Sequence, residues 1–393
     1  MKDSKSHLDI GKLAKHIVSL PKSGIRDFFE LVNNMDNVIS LGIGEPDFVT
    51  PWTIREYAIF GMEKGHTSYT SNLGMLSLRK EICKYLSKNY KVEYDPVREC
   101  IITVGVSEAL DLVLRAIINP GDEIIYHEPC YVSYRSEILM AHGVPVTLQT
   151  DSSRDFMPDP AKLKKLVSPK TKALILNFPC NPTGASLDAK TISEIAKIAK
   201  DHDLIVITDE IYSELTYEGS HSSIASLPGM KERTVFLHGF SKAYAMTGFR
   251  LGYACGPFEI IDAMMKIHQY SMLCAPTLAQ EAALEALRNG KKDMVKMKDE
   301  YRRRRDLIVK LLNEAGLDCF MPRGAFYAFP SIKKTGLSSA EFAKGFLEKH
   351  RVAVVPGAAF GVCGEGHVRC AYAASLDDIA EAMKRIKIFV NEI

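Results

Sequence analysis

Between residues 100 and 254, short and almost wholly apolar runs alternate with longer stretches in which apolar residues recur every three or four positions. The runs are 100–104 (CIITV), 122–126 (DEIIY), 172–178 (KALILNF), 204–208 (LIVIT), 234–238 (TVFLH) and 250–254 (RLGYA). Strands that are apolar on both sides belong to a parallel sheet covered on both faces. The intervening stretches are long enough for crossover helices. The clearest begins at Asp188, an N-cap residue type, with Ile192, Ile195, Ala196 and Ala199 following at helical spacing. The pattern predicts an α/β fold with helices on both faces of a mostly parallel sheet. The last hundred residues read differently: a long charged helix over 292–316, short strands at 326–329, 351–355 and 367–371, and a final helix from Leu376. They predict a second, α+β lobe.

A length of 393 residues suits two domains of ordinary size. A formal net charge of +2 leaves no electrostatic footprint for nucleic acid or an anionic membrane. The run Arg302–Arg305 is expected on the solvated face of the long helix, with Leu307, Leu311 and Leu312 on its buried side. Nine cysteines without a Cys-x-x-Cys pair argue against a disulfide framework and against a zinc site, so no metal is expected. Charges interrupt every apolar stretch of the first twenty residues, and no later run is long enough to span a bilayer, which places the protein in the cytoplasm. Trp52, Met264 and Met265 are expected to be packing residues.

In open α/β sheets, ligands sit beyond the carboxyl ends of the strands, so the residues following each run carry the candidate chemistry. After CIITV, Gly105-Val106-Ser107 leads into a helical stripe. A turn into a helix N-terminus offers N–H groups to an anion such as phosphate, although Ser107 could equally serve as the N-cap. After KALILNF comes Asn181 in the turn NPTG, either a turn residue or an amide aimed at a ligand oxygen. LIVIT runs into Asp209. A carboxylate at the end of an apolar strand is costly unless it caps a helix or meets a cation. TVFLH is followed by Ser241 and Lys242, where desolvation would lower the ammonium pKa and free a nucleophilic amine. Arg250, opening RLGYA, needs an anion, and its fork suits either a phosphate or a carboxylate. His238, at the end of its strand, is read as packed. Together the set matches what pyridoxal phosphate requires: a phosphate cradle, a donor to the ring oxygen, an acid for the ring nitrogen and a lysine.

SLGIGEPDF (40–48), TSYTSNLG (67–74), NPTG (181–184), TDEIYSELTY (208–217), SKAYAMTGFRLG (241–252), GAFYAFP (324–330), VVPGAAFG (354–361) and HVRCAYA (367–373) occur in this order along nearly the whole chain. With them the sequence resembles a class I aminotransferase of the fold-type I pyridoxal-phosphate group, nearest the aspartate/aromatic branch, some members of which act on acetylated diaminopimelate. The resemblance implies a large cofactor-binding domain over 46–288 and a small domain made of 289–393 with the N-terminal 1–45. It implies that Lys242 carries the cofactor as a Schiff base and moves the proton between the substrate Cα and the cofactor. Asp209 would pair with the ring nitrogen, Asn181 and Tyr212 with the ring oxygen, and Tyr131 and Ile211 would cover the two ring faces. Val106, Ser107, Ser241 and Arg250 would hold the phosphate, joined by Tyr69 from the neighbouring subunit, which implies a homodimer. Arg369 would clamp the substrate α-carboxylate with help from Gly44 and Asn181. The implied reaction moves an amino group between an amino acid and a 2-oxo acid in a ping-pong cycle.

One departure matters. Dicarboxylate-specific members often receive an arginine for the distal carboxylate from the other subunit. Pro257 to Pro276, where it would be expected, holds only Lys266 and His268 as basic residues. Strict aspartate specificity is therefore not expected. Competing readings are a C–S β-lyase or synthase on the same scaffold, and an aminotransferase-like ligand sensor. Lys242 and the absence of room for a DNA-binding module weigh against the sensor.

Overall fold

Why each strand of the central sheet sits where it does follows from side-chain parity. In the computed structural model, which describes residues 10–18, 20 and 35–393, the strands are β1 (Ile39–Ser40), β2 (Cys100–Thr103), β3 (Glu123–Glu128), β4 (Val144–Gln149), β5 (Thr171–Asn177), β6 (Ile205–Asp209), β7 (Thr234–Gly239), β8 (Gly252–Cys255), β9 (Tyr327–Ala328), β10 (Val352–Ala353), β11 (Val355–Pro356) and β12 (Val368–Ala371). On β7, Val235 and Leu237 face a core shared with helices 105–117, 133–140 and 258–271, while Phe236 faces one shared with helices 76–90 and 277–289. Val206 of β6 and Leu174 and Leu176 of β5 turn toward helix 189–201. Both faces are thus buried, as near-continuous apolar strands require.

The strand order is β2-β8-β7-β6-β5-β3-β4. All neighbours run parallel except β8, which is antiparallel to both β2 and β7. The strand expected over 250–254 is therefore corrected. It begins at Gly252, and Arg250 ends the preceding turn in the left-handed region, at φ 51°. The cause is a close approach. A Cβ on Gly252 would lie 2.6 Å from the Val106 nitrogen and 2.7 Å from the Gly105 carbonyl carbon, so the strand can touch the start of helix 105–117 only as glycine. β4 was not expected; as an edge strand it is only partly buried, and its apolar signal is correspondingly thin.

Helix 189–201 starts where predicted, with the Asp188 carboxylate accepting from the Thr191 N–H, a cap worth about 1 kcal/mol. Helix 291–314 matches the long charged stripe, but its arginine run is not uniformly solvated. Arg304 and Arg305 are buried because Asp47 and Glu300 neutralise the first, and Glu218 and Asp306 the second. Trp52 opens helix 52–63 as expected after Pro51, yet it lies exposed beneath the Arg55 guanidinium.

The C-terminal region packs around β11-β12-β9, an antiparallel sheet, with helices 291–314, 339–350 and 376–392. β1 pairs in parallel with β10, joining the N-terminal segment to this layer. Of the N-terminal part predicted for the small domain, residues 1–9, 19 and 21–34 lie outside the described residues. Among the described residues no helix is long and apolar enough to cross a membrane.

Gly252→Ala should lower the unfolding free energy by about 1–3 kcal/mol, because the atoms it would strike are backbone and cannot rotate away. Urea denaturation checks this, and an unchanged midpoint would contradict the close approach.

Candidate active site

Asn177, Asp209 and Gly239 end the parallel strands β5, β6 and β7, and Gly252 begins the reversed β8 at the same edge. Beyond this edge lies a cavity of about 450 Å³. Gly44, Val106, Ser107, Tyr131, Asn181, Asp209, Ile211, Tyr212, Ser241, Lys242, Arg250 and Arg369 all line it. Tyr69 does not; it lies on the surface, 80% exposed.

Lys242 Nζ donates to the Gly44 carbonyl at 2.7 Å. Its ammonium pKa is lowered to about 8, chiefly by burial, with the Arg369 and Arg250 charges adding to the fall and Glu45 and Asp209 opposing it. Asp209 is buried. Tyr134 Oη donates to its Oδ2 at 2.7 Å and the Ile211 N–H to its Oδ1 at 3.2 Å. Burial still pushes this carboxyl above its ordinary value. A cation placed beside it would reverse that shift.

Arg369, on β12, reaches across from the small sheet. One guanidinium nitrogen donates to Asn181 Oδ1 at 2.9 Å and the other to the Gly42 carbonyl at 2.5 Å. Its Cζ lies 4.5 Å from the centroid of the Tyr327 ring and 4.8 Å from that of Phe360. Its Nε is buried without a partner, and among the described residues it forms no ion pair. Desolvation lowers its pKa. A buried guanidinium held only by neutral acceptors is a receptor for a carboxylate. The Tyr327 hydroxyl meets that of Tyr212 at 2.7 Å, and a Cβ on Gly44 would lie 2.8 Å from it, so glycine keeps this wall open.

The opposite end of the cavity is built for a different anion. Helix 105–117 begins at Gly105 with no side-chain cap, so Ser107 stands in the first turn and is not the N-cap. Gly105 has φ +78°, and a Cβ there would lie 2.8 Å from an Arg250 nitrogen. Arg250 donates to the Thr247 carbonyl at 3.0 Å and forms no ion pair among the described residues. Free first-turn N–H groups, two hydroxyls and a guanidinium make a phosphate-sized cradle.

Sequence reasoning missed a supporting layer. Asn177 donates to the Asp209 carbonyl at 2.9 Å and accepts the Asn181 N–H at 3.1 Å, tying two site loops together. His127 accepts the Asn177 N–H at 3.4 Å and stacks on Phe178; burial drives its pKa down to about 4, so it is neutral. Asn177 could have been found, since it is a polar residue closing an apolar run, just as Asp209 is. Tyr134 and Tyr327 left no comparable mark. His268 is fully buried with its Nδ1 on Glu108 at 2.7 Å, and it does not line the cavity. His238 is packed, as expected, between Phe236 and Tyr253, with its Nε2 on Glu214.

The architecture and the placement of this cavity define a fold-type I transferase. Residues 36–386 match the family model described as aminotransferase class I and II. The chain is 53% identical over 380 residues to the YugH protein of Bacillus subtilis (strain 168), covering 97% of this chain and 98% of that one. It is 46% identical to the aspartate aminotransferase of Pyrococcus abyssi, covering 94% and 96%. Its fold is similar to the crystal structure of an aromatic aminotransferase from Pyrococcus horikoshii OT3, with a TM-score of 0.89 at 46% identity over 94% of this chain and 99% of that one. The chain belongs to the class I and II aminotransferases, and it is an aminotransferase.

If burial and the two guanidinium groups lower Lys242 as described, its amine is charged below about pH 8 and neutral above it. In the cofactor-free protein, the NMR signal of Lys242 labelled by ¹³C reductive methylation should titrate near pH 8. A midpoint close to 10, as for surface lysines, would show that the cavity does not desolvate it.

Proposed function

We propose that the chain binds pyridoxal phosphate in this cavity and moves an amino group between an L-amino acid and a 2-oxo acid by a ping-pong cycle. The observation that carries the reading is one cavity holding both a lysine poised to be neutral near pH 8 and a buried guanidinium without an anion. The residues fit the cofactor. Ser107, Ser241, Arg250 and the first-turn N–H groups of Val106 and Ser107 would hold its phosphate, and Tyr131 and Ile211 the faces of its ring. Asn181 and Tyr212 would meet the ring oxygen, and Asp209 the ring nitrogen, where a positive charge relieves the buried carboxylate. When bound, pyridoxal phosphate supplies an electron sink for the pair left on Cα.

Everything else falls to the chain. Arg369 fixes the substrate carboxylate, with the Asn181 amide and the Gly44 backbone completing the clamp. Lys242 Nζ, the amine the cavity offers, takes the proton from Cα. Tyr134 holds Asp209 in place from behind. The small lobe, 1–45 with 289–393, carries Arg369; the large lobe, 46–288, carries Lys242. A bound carboxylate therefore bridges the two.

Among the described residues lining the cavity, the only cations are Lys242, Arg250 and Arg369. We therefore assign a substrate range of the aspartate, aromatic and acetylated-diaminopimelate kind, with no strict demand for a second carboxylate. The exposed Tyr69 would complete the phosphate site of a second copy in a homodimer. The setting would be the cytoplasm.

The reconstituted protein should show a visible absorption band that bleaches with an amino acid and returns with a 2-oxo acid. A band that never converts, with pyruvate released instead, would favour the β-lyase or synthase reading. Lys242→Ala should abolish turnover, and near-normal turnover would remove Lys242 from its role. Arg369→Lys should raise KM for every amino donor by at least about tenfold, since a bidentate contact worth about 1.5–3 kcal/mol is lost; unchanged steady-state constants would contradict the clamp.

A further inference from the structure

Three cysteines far apart in sequence meet in the core at the other end of the sheet. Cys100 opens β2 and Cys255 closes β8, and the two are direct partners in that antiparallel pair. Cys83 comes from helix 76–90, which packs on the same face. All three are buried, all are free thiols, and their sulfur atoms lie within 4.8 Å of one another. We propose that Cys83, Cys100 and Cys255 form a binding site for a soft, thiophilic cation, best matched by monovalent copper in three-coordinate geometry.

The argument begins with ligand type. Thiolates select soft ions, and a three-coordinate ion with metal–sulfur bonds of about 2.3 Å needs sulfurs about 4 Å apart. The observed cluster meets that with small side-chain adjustments. Among the described residues no fourth His, Cys, Asp or Glu joins the group. The three cysteines belong to an apolar core cluster that also holds Ile82, Leu86, Ile102, Phe236 and Tyr253. Zinc, which takes four ligands in structural sites, is poorly served; a three-coordinate ion is not.

The charge is partly offset. Arg79 lies one helical turn before Cys83 and is buried, with its guanidinium given over to the carbonyls of Gly74, Pro96 and Val97 and to no carboxylate among the described residues. Three thiolates with one Cu⁺ carry a net charge of −2, and the Arg79 guanidinium, on which Asp95 also acts, offsets one unit of it. Binding one Cu⁺ to three thiols forms three copper–sulfur bonds and releases three protons to solvent, with no change of oxidation state. A surface cleft of about 410 Å³ is lined by Asp95, Glu99 and Pro257, residues close in sequence to Cys100 and Cys255. The site lies away from the carboxyl edge, so the ion would tie helix 76–90 to β2 and β8 and take no part in catalysis.

Reduced, cofactor-loaded protein would be titrated with Cu(I) under anaerobic conditions against a competing chromophoric chelator. One equivalent should resist the chelator, raise the melting temperature and leave transaminase activity unchanged. X-ray absorption at the copper edge should show three sulfurs at about 2.3 Å. Cys83→Ala and Cys255→Ala should each lose the chelator-resistant equivalent, whereas Cys274→Ala with Cys363→Ala should keep it. Retention of the ion in Cys83→Ala, or its absence from the wild type, would overturn the proposal. If the variants fail to fold, the wild-type spectrum decides: fewer than three sulfur neighbours would equally overturn it.

Discussion

Burying a guanidinium without a carboxylate costs several kcal/mol, and Arg369 is held in that condition. Much of the site can be read as the means of tolerating it. Asn181 is turned oxygen-first toward the charge, the Gly42 carbonyl faces it, and the Tyr327 and Phe360 rings lend their π faces. None of these is an anion, so the charge is accommodated but not neutralised. Burial is the main reason Lys242 favours its neutral form, and the Arg369 charge adds to it. The receptor for the carboxylate and the readiness of the amine thus share one main cause, burial in the same cavity.

The two layers of the molecule depend on each other through this one side chain. Arg369 belongs to β12 in the small sheet, Asn181 follows β5 in the large one, and Gly42 lies just after β1. Asn177 then secures Asn181 to the end of β6 by bonding the Asp209 carbonyl. A substrate carboxylate would settle into a network already spanning both layers. Little reorganisation is required of the protein at that moment, which is the usual source of electrostatic advantage in a dry site.

How much of this was legible in the sequence varied with the physical cause. Buried parallel strands are apolar on both faces and so announced themselves, and the polar residues at or just beyond their ends stood out against that background: Asp209, Lys242 and Asn181. β4 did not, because an edge strand needs apolar residues on fewer positions. Arg304 and Arg305 misled, since a helix pattern shows which residues are charged but not which acids the tertiary fold will bring to them. Tyr134 and Tyr327 act through hydroxyl groups on otherwise ordinary core rings, and nothing in a linear pattern distinguishes such a ring from its neighbours. The three-cysteine cluster escaped for a related reason, since its members are separated by 17 and 155 positions and only the β2–β8 pairing and the helix above unite them.

The reversal of β8 has a geometric consequence. In a purely parallel sheet the chain leaving the carboxyl end of β7 would have to travel the length of the sheet before starting another strand. Here it turns back at the same edge, and Ser241, Lys242, Thr247 and Arg250 of the segment from Gly239 to Gly252 line the cavity. Lys242 and Arg250 sit on that one short connection, its two ends pinned side by side by the Gly239–Gly252 pairing. The connection acts as a ruler: the span between the amine and the guanidinium is limited by local chain length, and Phe240, Ala243, Tyr244 and Met246 fasten it to the core. A single inserted residue within the loop would alter that span.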